Sequence, residues 1–154
     1  MMPRFASICR DERGNSFLEM ALAAPLLASL FVGMVDVSRA VSAKVKLEQA
    51  AQRAVEKVQA QATFKTDQAA TVKSDAEGAG GTGSTATVTY WLECNHDGVK
   101  LDFDTGSCAS ATAPYARYVN VSIQKAFTPL WGNMFPGAVN GTVTVKGAAV
   151  VRVQ

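Results

Sequence analysis

Between Arg13 and Asp36 the chain carries a single charged residue, Glu19. From Met20 to Val35 there is none, and counting back to Asn15 gives a segment near the ~20 residues a helix needs to cross a bilayer. Leu18, Leu22, Leu26, Leu27, Leu30 and Phe31 supply its apolar bulk. A carboxylate in hydrocarbon is costly and usually has a function. Pro25 removes one backbone hydrogen bond and is expected to bend the helix. Ala24 and Ala28 are four apart, as are Ser29 and Gly33, a small-xxx-small spacing that admits a neighbouring helix. In a chain this rich in alanine the same spacing also arises by chance.

Composition limits the rest. The 154 residues are 48% hydrophobic and 18% charged with net charge +2, enough for one modest domain plus an anchor. That balance is too mild to imply nucleic acid, and no nucleic-acid-binding motif occurs. One histidine, His96, cannot build a histidine-based catalytic or metal cluster. Arg4, Arg10 and Arg13 outnumber Asp11 and Glu12 before the span and favour a cytoplasmic amino terminus.

Three targeting readings compete. A secretory signal finds small or apolar residues at Val41-Ser42-Ala43, but its apolar region would exceed the usual ~7–15 residues and contain Glu19. An uncleaved anchor explains the length and leaves Glu19 an accident. A cut between Gly14 and Asn15 makes Asn15 the first residue and Glu19 the fifth. The new amine and the carboxylate then lie four apart on one helix face, and each offsets the other's cost in low dielectric. If the amine belongs to a neighbouring subunit, the pair sets helix register.

The run Gly14-Asn15-Ser16-Phe17-Leu18-Glu19 resembles the processing site of type IV pilin-like proteins. The longer pattern is Arg13-Gly14, Phe17, Glu19, Ala24-Pro25-Leu26-Leu27, Gly33, Asp36 and Arg39, followed by an alanine-rich helix. It resembles the TadE-like minor pilins (pseudopilins) of tight-adherence pili. Met20 stands where that family often has Phe or Tyr. The resemblance implies a structural subunit, not an enzyme, cut by a prepilin peptidase and held in the bacterial inner membrane by one pass. The amino terminus would be cytoplasmic and the carboxy-terminal domain periplasmic. Implied partners are other pilin and pseudopilin subunits, an assembly ATPase with its membrane platform, and a secretin, serving surface attachment and biofilm growth.

Beyond the span, Asp36 to about Ala62 has no proline or glycine. Val41, Val45, Ala51, Val55 and Val58 recur at helical spacing and are expected on the buried face. Asp36 and Arg39, three apart, either pair at the membrane edge or form a solvated helix end, and for an exposed pair the solvated end is favoured. Residues 71–84, TVKSDAEGAGGTGS, read as a glycine-rich loop or linker. They lack the GK[ST] of a phosphate-binding loop.

Three strands are expected from period-two alternation, at Thr85–Cys94, Tyr115–Phe127 and Thr142–Val153. Asn140-Gly141 signals a tight turn before the last. The intervening FTPLWGNMFPGAV reads as an irregular loop folding onto the sheet; the same order is seen in TadE-like proteins. Cys94 and Cys108 close a loop of roughly 15 residues, and a bridge there is worth about 3 kcal/mol in the chain-entropy model. Both lie on the oxidising side of the expected topology, so a disulfide is preferred over free thiols. Cys9 lies in the leader and is lost with it.

A zinc site from Cys94, His96, Cys108 and one of Asp97, Asp102 or Asp104 fits no standard spacing. The same aspartates lack the twelve-residue calcium-loop pattern. No nucleophile elbow, metal-binding histidine pair or persuasive dyad occurs. The expected cofactor count is none. The expected layout is α+β: a leader 1–14, a transmembrane helix 15–36, its amphipathic continuation 37–62, a linker 63–84, and a β domain 85–154 with three or four antiparallel strands. The alternative function is a secreted or membrane-anchored binding module not processed as a pilin.

Overall fold

The structure is a computed structural model that describes residues 15–61, 64–95, 97–110, 112 and 114–153. Residues 1–14, the expected leader with Cys9, and His96 lie outside the described residues.

One helix, α1 (Asn15–Ala60), runs for 46 residues with Pro25 inside it. Its first half buries little: Phe17, Leu18, Met20, Leu22, Leu26, Leu27, Leu30, Phe31 and Met34 are all exposed. By length and composition it is apolar enough to cross a membrane. Its second half packs on the rest of the chain through Leu47, Ala50, Ala51, Ala54, Val55 and Val58. Those positions follow the three-four spacing of one helix face. The valine stripe drawn from the sequence is therefore partly displaced, since Val41 and Val45 are exposed. Alanines occupy much of the buried face because the sheet lies close to the helix backbone.

The sheet has three antiparallel strands in the order β1 (Ser84–Cys94), β2 (Tyr115–Phe127), β3 (Val143–Arg152). The expected α+β class holds, and of the three or four strands expected the sheet has three. Central β2 turns Val119, Val121 and Ile123 into the core, each fully buried. The helices cover this face; the opposite face carries Thr89, Trp91, Tyr118 and Asn120, with Trp91 stacked on its cross-strand neighbour Tyr118. Gly147 of β3 sets the helix–sheet distance. A Cβ there would collide with the backbone of Leu47 and Glu48. A strand-interior glycine often marks such a close backbone approach.

The described part of the expected linker, residues 64–84, is structured. It holds a second helix, α2 (Ala69–Gly80), with Val72 and Ala76 buried. Ala69, Val72 and Ala76 recur at helical spacing, and this weak stripe suffices because α1 and β1 supply the surface it docks on. The glycines that suggested a linker serve the helix end. A Cβ on Gly80 would meet Ser84 and Ile123, and Gly81 ends the helix at φ +82. Glu77 of α2 accepts the N–H of Ala86 at 3.0 Å, capping the outer edge of β1. Lys57 of α1 bridges to Asp75 of α2 at 2.9 Å.

Candidate assembly site

The residues singled out in the sequence lie in two zones of α1 and one loop of the sheet. In the first zone Asn15 is the first residue of α1, directly after Gly14. Glu19 follows one turn later and is exposed. Among the described residues nothing bonds to its carboxylate. Ala24 and Ala28 are exposed as well. Ser29 donates to the carbonyl of Leu26 at 2.7 Å, so its hydroxyl is satisfied inside the helix. Beside Gly33 there is open space, with no atom within 4 Å of where a Cβ would stand. At about 100° per residue the Ala24–Ala28 pair and the Ser29–Gly33 pair face different directions. Among the described residues no other element packs against either pair.

In the second zone the structure corrects the sequence. Asp36 was expected at an exposed membrane edge, most favourably as part of a solvated helix end. It is fully buried, at 0% exposure. Its carboxylate accepts the backbone N–H of Leu130 at 2.8 Å and of Trp131 at 3.0 Å, one on each oxygen. Arg39 reaches one oxygen at 3.5 Å, while its guanidinium lies 5.4 Å from the centre of the Phe127 ring. The loop after β2 had been expected to fold onto the sheet. It is tied to α1 at Asp36, and its Phe135 turns back to touch Phe127 of the sheet.

Sequence reasoning missed Leu130 and Trp131 because backbone donors leave no side-chain signature. The one signal was Asp36 itself, a lone acid closing an uncharged run. Gly147 was legible in principle, as the one glycine inside a strand pattern.

In the third zone Cys94 and Cys108 are joined, with Cα atoms 5.8 Å apart. Within the closed loop Leu101 pairs with Leu92 on the edge of β1. Asp102 Oδ1 accepts the N–H of Thr105 at 2.7 Å, the hydroxyl of Thr105 at 2.7 Å and the N–H of Asp104 at 3.1 Å. The backbone bond from Thr105, then its hydroxyl, holds this carboxyl below the usual aspartate value. Phe103 lies under the loop against Phe64 and Tyr90. Among the described residues no group of three or more His, Cys, Asp or Glu is placed to hold a metal.

The class these features define is a single apolar helix that continues into, and is tied to, a small α+β head. Residues 14–56 match the model of the TadE-like protein family. The match begins at the Gly14-Asn15 junction and runs through Glu56, so over that stretch the resemblance read from the sequence is shown; the strands lie beyond it. Neither a search of curated proteins nor one of solved structures found a match.

Proposed function

We propose that the protein is a minor pilin or pseudopilin of a tight-adherence pilus. It is made as a prepilin, cut after Gly14 by a prepilin peptidase, and held in the bacterial inner membrane by α1 with its head in the periplasm. Other pilin-like subunits then pack along the apolar half of the helix. The ATPase, platform and secretin of such a system are its further partners, and surface attachment and biofilm growth its purpose. The observation that carries this reading is the family match starting at Gly14, directly before the first residue of a helix whose apolar surface is uncovered among the described residues.

Two features of the structure support it. Glu19 is exposed one turn from Asn15, where the amine of a neighbouring subunit is able to reach it. The secretory alternative fares worse. Val41-Ser42-Ala43 lies within α1, and release at Ala43 would discard Asp36 and its two bonds to the loop. Mass spectrometry of the mature amino terminus separates the readings. Asn15 supports the proposal; Lys44 or the initiator region overturns it.

A further inference from the structure

The β2–β3 connection, residues 128–142, reads TPLWGNMFPGAVNGT and contains no charged residue. A loop of this length without a charge is unusual on a water-facing surface. It leaves the sheet where Phe127 pairs with Val143. That end lies beside Arg39, whose guanidinium covers the Phe127 ring, so the connection hangs from the sheet toward the apolar half of α1.

Four of its apolar side chains are largely uncovered. Leu130 is 63% exposed, Met134 76%, Val139 70% and Trp131 36%. The height of the loop along α1 is fixed by chemistry. From Ser16 to Asp36 the helix rises about 30 Å, the thickness of a bilayer's hydrocarbon. Asp36 therefore stands where hydrocarbon gives way to headgroups. Its carboxylate holds the backbone of Leu130 and Trp131 at that same level. Phe31 and Met34 of α1 are exposed just below and Val37 beside it, so loop and helix offer apolar surface at one membrane boundary. Arg39 and Lys125 line one groove and Lys44 and Lys146 another, so cationic side chains follow Asp36 on the head side, where lipid phosphates would lie.

We propose that the 128–142 loop is an interfacial lipid-binding element. Leu130, Trp131, Met134 and Val139 enter the boundary of the leaflet on the side of the head. Tryptophan favours that boundary because its ring is amphipathic. The loop and α1 then hold the head at two points, and Asp36 is the strut between them. This inference rests on α1 spanning the membrane.

The test uses the full chain carrying Trp91→Phe, which leaves Trp131 as the one tryptophan and keeps a ring against Tyr118. Far-UV circular dichroism checks the fold. The protein is reconstituted in phosphatidylcholine–phosphatidylglycerol vesicles, and resistance to alkaline extraction reports whether α1 is integrated. Trp131 should emit to the blue of tryptophan in water, and lipids brominated near the headgroup should quench it more than acrylamide does. Leu130→Ser with Met134→Ser should weaken the lipid quenching and leave α1 integrated. Integrated protein whose Trp131 is quenched by acrylamide as freely as a tryptophan amide overturns the loop proposal and leaves the spanning reading intact. Integrated protein whose Trp131 escapes both quenchers overturns it too, because another protein surface then covers the loop. Protein stripped by alkali overturns both.

Discussion

Replacing Asp36 with alanine tests whether one buried carboxylate joins the head to the apolar half of α1. Two backbone donors lose their acceptor, Leu130 at 2.8 Å and Trp131 at 3.0 Å. A hydrogen bond to a charged acceptor contributes about 1.5–3 kcal/mol, and a buried donor left unmatched carries its own desolvation cost. Arg39 adds little, because its side chain is about half exposed at 48% and its contact is long at 3.5 Å. The loop is at the surface, so water recovers part of the loss. The expected net is about 2–4 kcal/mol, or roughly 30- to 1,000-fold in the opening equilibrium. Hydrogen exchange by mass spectrometry on the full chain in lipid nanodiscs reads this directly. Peptides covering 128–135 should lose protection by that factor, while those from β2 around Val119–Ile123 should change little, because the core opens separately. Asp36→Asn, which keeps one acceptor oxygen, should fall between. Protection of 128–135 that stays within about threefold of the parent would refute the strut, since it would mean each bond contributes less than a surface contact.

Gly147→Val should separate α1 from β3, because its side chain needs the space filled by the backbone of Leu47 and Glu48; a drop in melting temperature of the head and lost protection across both elements are expected, with a cost of several kcal/mol by overpacking. Glu19→Ala should leave membrane insertion intact and reduce co-purification with partner subunits; unchanged assembly would remove the register role proposed for this acid. Asp102 is held below its usual value in the folded loop, so its contribution is present at pH above the unfolded value and lost as pH falls through the folded one. Amide exchange at Thr105 should therefore quicken only in acid below the ordinary aspartate range, and Asp102→Asn should abolish that acid step. Cys94→Ser with Cys108→Ser should loosen residues 95–107 and lower stability by about 3 kcal/mol, read by denaturant titration with and without reductant.

The sequence by itself determined the elements whose signal is local. A run without charge made the apolar half of α1 legible, and alternation placed all three strands to within about a residue of their ends. The glycine, the asparagine and the acid four residues on, with Asp36 and Arg39 beyond, carried the family resemblance. Tertiary structure decided what local pattern cannot hold. Helix α2 is short and its stripe is weak, so its glycines outweighed it until α1 and β1 supplied a surface to dock on. The buried stripe of α1 followed alanines rather than valines because Gly147 brings β3 against its backbone. Asp36 is the clearest case. In the sequence it is a charge at the end of an apolar run, and an isolated helix would leave it in water. Only the return of the chain after β2, ninety-four residues later, sets two amide protons against it and makes burial favourable. That return depends on the sheet, and no window of sequence contains both partners.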